Sequence, residues 1–339
     1  MRRPSEDELI ATYFAPLAGP GAFGLRDDAA ILAQKPGHEI VATTDMLIAG
    51  VHFFTDDPPG AVARKALRVN LSDLAAKGAE PSGFLLGLAL PEDWTAHWLT
   101  GFAQGLGEDA AAYKCPLLGG DTVKNSGSLV VSITAFGTVP AQKMVLRAGV
   151  AAGDRIYVTG TIGDAALGLK FRLDVAQDME WTHCVGQAAA AYLAGRYLLP
   201  RPRLGLRAAL RAHAHAAMDI SDGFAGDLAK MLRLTGMTAE VMIADVPLSG
   251  AARRILHEAP SLLETILTGG DDYELLCAVP PSQSAAFEAC AKAAGILVHP
   301  IGTARPGDAP PVLKDSEGRS LVLERLSFQH FYWNESDKL

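Results

Sequence analysis

Val41-Ala-Thr-Thr-Asp45-Met-Leu-Ile-Ala-Gly-Val-His52-Phe-Phe54 opens as an apolar strand, delivers Thr43, Thr44 and Asp45, and after a turn presents His52. Carboxylate and hydroxyl oxygens are hard donors. They suit Mg²⁺, which is commonly held by one or two carboxylates while substrate phosphates fill its remaining positions. Taken alone, the same three residues could equally form a turn or a cap. Recurrence argues for chemistry: Asp27, Asp28, Asp73, Asp121, Asp219, Asp222, Asp271 and Asp272 stand at the ends or turns of other expected elements.

Upstream of this stretch, Ser5 and Glu8 read as a capping box opening a short helix to about Ala15. A Gly/Pro-rich loop then leads to Arg26-Asp27-Asp28, and Ala29 to Ala33 reads as a strand. Downstream, the pattern predicts a helix over Pro59 to Ala79, a strand over Ser82 to Leu90 and a helix over Glu92 to Tyr113. A short strand, Cys115 to Leu118, is expected to end in Gly119-Gly120-Asp121, and Leu129 to Val139 reads as a further strand. The small, turn-rich Gly149 to Asp154 marks a boundary, giving domains 1–148 and 149–339. The second half restarts an α/β pattern. Ala216 to Ile220 runs into Ser221-Asp222-Gly223 and a helix, and Gly269-Gly270-Asp271-Asp272 precedes the strand Tyr273 to Val279. The fold class is α/β with mixed sheets in two domains.

At 339 residues the chain exceeds the usual span of one hydrophobic core. A net charge of −8 argues against a nucleic-acid surface, so a polyanionic substrate would need metal ions beside it. No apolar run approaches membrane-spanning length and the N-terminus lacks an apolar signal core, which places the protein in the cytoplasm. Cys115, Cys184, Cys277 and Cys290 show no metal-ligand spacing and read as reduced, mostly core residues.

Gly-Gly-Asp after a strand could let a backbone approach a phosphate while the carboxylate holds its metal, or it could be a plain tight turn. Carboxylates converging within about 5 Å repel by roughly 3 kcal/mol per pair at an effective dielectric of 20, so a cluster of them implies bound cations. A phosphate-binding Gly-Lys loop is absent, and Gly105-Leu-Gly107 lies in a helical pattern where it cannot serve a dinucleotide. Asp73 and Lys77 are spaced for a surface ion pair, Arg147 after Lys143 could be a solvated charge or a phosphate contact, and His213 with His215 matches no metal motif.

Asp27-Asp28, Thr43-Thr-Asp45 with His52-Phe53, Asn70-Leu-Ser-Asp73-Leu-Ala-Ala-Lys-Gly-Ala-Glu-Pro81, Gly119-Gly-Asp121-Thr, Asp219-Ile-Ser-Asp222-Gly and Gly269-Gly-Asp-Asp-Tyr occur together nearly end to end. In this order they resemble the thiamine-monophosphate kinase family. Its superfamily also holds aminoimidazole ribonucleotide synthetase, the hydrogenase maturation protein HypE and selenophosphate synthetase. The resemblance implies transfer of the ATP γ-phosphoryl group to thiamine monophosphate, with several Mg²⁺ ions. It further implies a homodimer formed through the N-terminal domain and a C-terminal domain that completes the active site. By motif match, Asp28, Thr43, Thr44, Asp45, Asp73, Asp121, Asp219 and Asp222 would bind Mg²⁺. Gly120, Asp121, Arg147 and Ser221 would contact ATP, and His52, Asp271 and Phe328 the thiamine monophosphate. No side chain is assigned as a catalytic acid or base.

The chain departs from the family at Asp271, where Glu is usual, and at Ser327, where Gly is usual before an aromatic tail that here reads Phe328 to Trp333. The superfamily's reactive cysteines, near the N-terminus or at the C-terminus, are missing. Aminoimidazole ribonucleotide synthetase, a metal-dependent phosphatase and a non-catalytic nucleotide- and metal-binding module remain as alternatives.

Overall fold

The computed structural model describes residues 5–329, so Phe331, Tyr332 and Trp333 of the aromatic tail lie outside the described residues. The chain divides into two units. The first runs to Val145 and takes back Leu198–Arg211; the second comprises Leu146–Tyr197 and the chain from Ala212 onward.

The first unit begins with α1 (Glu6–Leu9), capped as expected: Ser5 Oγ accepts from Glu8 N–H, and the Glu8 carboxylate from Ser5 N–H at 2.8 Å. β1 (His38–Ile48), α2 (Pro59–Ala76), β2 (Glu80–Leu90), α3 (Ala96–Ala112), β3 (Leu117–Lys124) and β4 (Val130–Pro140) follow. The sheet order is β1-β4-β2-β3, antiparallel except for the parallel β2–β3 pair. β4 shows the alternation of a sheet buried on one face: Val131, Ile133 and Ala135 are buried, and the residues between them half-buried. α2 covers that buried face, and α3 packs on α2. The two helices approach closely where a Cβ on Gly105 would stand 2.5 Å from the Gly60 Cα, so the glycines at 105 and 60 serve a helix crossing. Arg68 clamps the same crossing with a two-pronged bond to Asp109 at 2.5 and 2.9 Å.

Two sequence expectations fail here. Ala29 to Ala33 is not a strand: Ile31 is 61% exposed, and its N–H donates to Gly21 O of the preceding loop, with no strand assigned over the segment. Gly119-Gly120-Asp121 does not follow a strand but lies inside β3, because β2 continues alongside and pairs Gly87 with Asp121 and Leu90 with Lys124. Glycine weakens a strand, but a neighbouring ladder overrides that preference.

The second unit continues with β5 (Arg155–Thr159), α4 (Asp164–Val175), α5 (Gln187–Leu198), α6 (Arg207–His213), β6 (Ala216–Asp219), α7 (Phe224–Arg233), β7 (Met237–Met242), α8 (Gly250–Glu258), α9 (Leu263–Thr268), β8 (Leu275–Val279), α10 (Ser284–Ala293), β9 (Val298–Pro306) and β10 (Val312–Lys314). α5 ends at the crossing between units and α6 begins in the returned segment. The six strands lie in the order β10-β7-β9-β5-β8-β6. Ile156 and Val158 of β5 face a core that includes Phe224, Leu228 and Met231 of α7. Tyr157, on the other face, packs on Phe287 of α10 with ring centroids 5.3 Å apart. Cys115 and Cys277 are buried but Cys184 and Cys290 are exposed, so only half of the cysteines are core residues; all four are free thiols.

Candidate functional site

The second unit gathers three distant segments at the end of β6. Asp219 closes that strand, nearly buried, and Ile220 N–H donates to Glu274 O. The following loop is organised by a residue that the sequence reading did not single out. Asp227, 1% exposed in the first turn of α7, accepts on Oδ2 from the backbone N–H groups of Ser221, Asp222 and Gly223 at 3.1, 3.0 and 3.2 Å. A carboxylate at a helix start that collects three amide donors fixes the loop as a rigid turn. Burial pushes the Asp227 carboxyl up from its ordinary range, opposed by Lys230 and the Asp222 amide. Lys230 Nζ donates to Asp227 Oδ1 at 2.9 Å and to Asp222 Oδ2 at 2.5 Å. The available signal was spacing: Asp227 and Lys230 stand i,i+3 on an obvious helix, directly after Asp-Ile-Ser-Asp-Gly.

Onto this loop dock the other two segments. Asp271 N–H donates to Ser221 O, Tyr273 N–H to Ile220 O, and Phe328 N–H to Asp222 O, each at 2.9 Å. Ser221, Asp222, Asp271 and Phe328 are thereby brought together. The approach is close: a Cβ on Gly270 would lie 2.3 Å from Ser221 O, one on Gly223 2.3 Å from Thr268 O, and one on Gly269 2.4 Å from the Ala166 Cβ. These glycines answer a demand of the fold itself. Asp271 and Tyr273 have φ of 72° and 50°, a left-handed conformation that non-glycine residues occupy only when their surroundings hold them there.

What holds them is a buried polar layer. Asp272, fully buried, accepts from the N–H groups of Gly163 at 2.7 Å and Ala165 at 3.3 Å, and so caps α4 from outside the helix. Arg196 donates to Glu274 at 2.9 Å and to Asp272 O at 3.3 Å, and Thr159 donates to Glu274 at 2.6 Å. Burial drives the Asp272 carboxyl from an ordinary 3.8 up to about 8.

In the first unit the expected residues divide between the two faces of the sheet. Thr43 donates to Asp73 Oδ2 of α2 at 2.5 Å, on the helix-covered face. Thr44 points the other way and donates to Ile133 O at 3.1 Å, while Thr134 donates to Thr44. The register places Asp45 opposite Ile133 and Leu86, on the Thr43 side, but Asp121 in a row with Gly87, Ser132 and Met46 on the open side. β1 and β3 are also the two edges of the sheet, three strand spacings or about 14 Å apart. One copy therefore does not bring Asp45 and Asp121 together. Asp28 and Asp121 do share surroundings: both line a cavity of about 790 Å³ between the N-terminal segment and the open face, along with Asp27, Gly119 and Gly120. Gly120 tolerates no side chain, since a Cβ there would stand 1.9 Å from Leu86 O.

His52 is held at its ring and at its carbonyl. Its Nδ1 accepts from Ile48 N–H at 3.0 Å, and Lys65, a buried lysine of α2, donates to its carbonyl at 2.8 Å. Because an amide can only donate, the neutral His52 ring carries its proton on Nε2. Lys65 is a second residue that sequence reasoning missed; it reads as one more polar position of an amphipathic helix. Arg147 is exposed in the stretch between Val145 and Val150.

Every candidate metal ligand is a carboxylate or hydroxyl oxygen, the donor type Mg²⁺ takes. Among the described residues, no group of three His, Cys, Asp or Glu side chains is gathered for a metal ion. Mg²⁺ fits such sparse sites because it retains water and substrate phosphate oxygens and needs only one or two carboxylates.

The two halves of the chain match two domain families, AIR synthase related protein, N-terminal domain, over residues 26–139, and AIR synthase related protein, C-terminal domain, over 151–312. The fold and the placement of acidic loops thus define an AIR synthase related two-domain protein. The thiamine-monophosphate kinase of Caulobacter vibrioides is 41% identical over 332 residues, covering 96% of this chain and 91% of the relative. The crystal structure of thiamine-monophosphate kinase from Stenotrophomonas maltophilia superposes with a TM-score of 0.78 at 35% identity, over 88% of this chain and 91% of that one. AaThiL complexed with AMPPCP and TMP superposes with a TM-score of 0.76 at 29% identity, over 92% and 97% of the two chains. The chain belongs to the thiamine-monophosphate kinase family.

Proposed function

We propose that the protein transfers the γ-phosphoryl group of ATP to thiamine monophosphate, giving thiamine diphosphate and ADP. The observation that carries this reading is the near end-to-end likeness to thiamine-monophosphate kinases, one of them solved with the ATP analogue AMPPCP and with TMP. The acceptor is a phosphate monoester whose second pKa is about 6, so it is already an ionised nucleophile at neutral pH. No general base is then required, in keeping with a site whose groups position and neutralise. Bound Mg²⁺ would supply charge neutralisation between the two anions. Asp28, Thr43, Thr44, Asp45, Asp73, Asp121, Asp219 and Asp222 would hold the ions, and Gly120, Asp121, Arg147 and Ser221 would contact ATP. His52 would donate Nε2–H to an acceptor on the thiamine monophosphate, while Asp271 and Phe328 would flank its cationic ring.

We further propose that the working unit is a cytoplasmic homodimer joined through the N-terminal unit. Ile40, Met46, Leu85 and Val123 are exposed on the sheet face opposite α2, an apolar surface of the kind a second copy covers. The test is direct detection of thiamine diphosphate from thiamine monophosphate, ATP and Mg²⁺, abolished by EDTA and restored by excess Mg²⁺. Formation of aminoimidazole ribonucleotide in its place, or ATP binding without turnover, would overturn the reading.

A further inference from the structure

We infer that Lys230 is a resident counter-cation that holds the carboxylate of Asp222 when no divalent ion does, and that it sets the ion affinity of that position by competing for it. The inference rests on the reading of Asp222 as a metal ligand. Lys230 Nζ bridges two carboxylates of very different character. Asp227 is 1% exposed and already engaged by three loop amides on its other oxygen, so it is a permanent partner. Asp222 has a side chain 41% exposed, so solvent and its ions reach this carboxylate. An ammonium has three donors and a flexible stem, so Lys230 can release Asp222 and remain on Asp227 without leaving a buried charge unpaired.

A divalent ion that takes the Asp222 Oδ2 must therefore displace a cation as well as shed water. The cost is modest because the pair is half exposed, but it falls on a single named residue. The loop does not need this contact to keep its shape, since Asp227 alone collects the amides of Ser221, Asp222 and Gly223. Removing the positive charge should leave the loop in place and strengthen divalent binding. A lysine whose role is to orient Asp222 for the ion would give the opposite sign.

The experiment titrates Mn²⁺ into the full-length chain and follows the free ion by electron paramagnetic resonance, with no substrate present. Lys230→Met and Lys230→Gln should each bind about fivefold tighter than the parent, the scale of a half-exposed ion pair. Lys230→Arg, which keeps the charge, should stay near the parent, and Asp222→Asn should bind more weakly. If both neutral variants bind Mn²⁺ as the parent does, or more weakly, while Asp222→Asn loses affinity, Asp222 is a ligand and the competition by Lys230 is wrong. If Asp222→Asn binds as the parent does, the assignment of Asp222 as a ligand fails first, and the inference fails with it.

Discussion

The two units carry their share of the candidate site in opposite ways. In the second, Ser221, Asp222, Asp271 and Phe328 are locked to one another by backbone bonds of 2.9 Å and by the amide-collecting Asp227. In the first, Asp45 and Asp121 stand on opposite faces and opposite edges of one four-stranded sheet. The second unit presents a preassembled, rigid loop cluster of the kind that positions a substrate before any ion arrives. The first presents acidic residues that its sheet holds apart. A rigid half and an incomplete half make different demands on mutation, and the contrast can be broken at several points.

The largest effect is expected in the first unit. Asp45→Asn and Asp121→Asn should each reduce turnover by about a thousandfold or more with the fold intact, because each withdraws a charge from the ions between two anionic substrates. If a partner copy joins Asp45 to Asp121, a purified heterodimer of the two variants has one site with both residues intact and recovers about half of the parental activity. Recovery is scored by turnover of the tagged, separated heterodimer. Activity no higher than that of the single variants would mean that each copy builds its own site, and a purely monomeric sedimentation profile at micromolar concentration would remove the partner altogether.

Next in size is Asp227→Ala. It strands the N–H groups of Ser221, Asp222 and Gly223 and deprives Lys230 of its buried partner, which should cost about 3 kcal/mol of stability. Calorimetric unfolding measures it, and a melting temperature within a degree of the parent would show that the loop is not held as described. A smaller effect follows from Phe328→Ala. Loss of a cation–π contact of about 1–2 kcal/mol should raise KM for thiamine monophosphate several-fold to about thirtyfold and leave KM for ATP nearly unchanged. Lower thermal stability with both KM values unaltered would make Phe328, 48% exposed, a packing residue only.

The same contrast explains what could be read from the chain beforehand. Periodicity located α2, β2 and β4 to within a few residues, because each alternates or repeats against a single core. It placed Gly119-Gly120-Asp121 outside a strand, because glycine's local preference is visible in a sequence and the β2 ladder beside it is not. Candidate ligands were legible as acids at element ends. Their supports were less so: Asp272 was visible as an acid but not as a helix cap, Arg196 acts across the fold, Asp227 showed only as a helix acid, and a buried lysine such as Lys65 looks on paper like any polar position of an amphipathic helix. Nor does spacing reveal which face of a sheet an acid takes until its pairing register is known.

The buried layer beneath the rigid half yields the smallest effect and the sharpest sign. Asp272 is fully buried, and burial raises its carboxyl from 3.8 to about 8, against the pull of the Gly163 amide and Arg196. A carboxyl whose folded pKa lies above its unfolded one binds its proton more tightly in the folded state. Its contribution to stability is therefore greatest at the acid end of the window, declines as pH rises from about 4 to about 8, and is level above that. Asp272→Asn cannot ionise and can still accept one of the two α4 amide bonds through its carbonyl oxygen, so it should remove that decline. The comparison is the slope of unfolding free energy against pH in parent and variant: the parent's should fall more steeply between pH 5 and 8, with the two curves running parallel above it. Equal slopes would mean that Arg196 and the α4 amides keep Asp272 ionised throughout, and that the Asp271 turn rests on a buried ion pair.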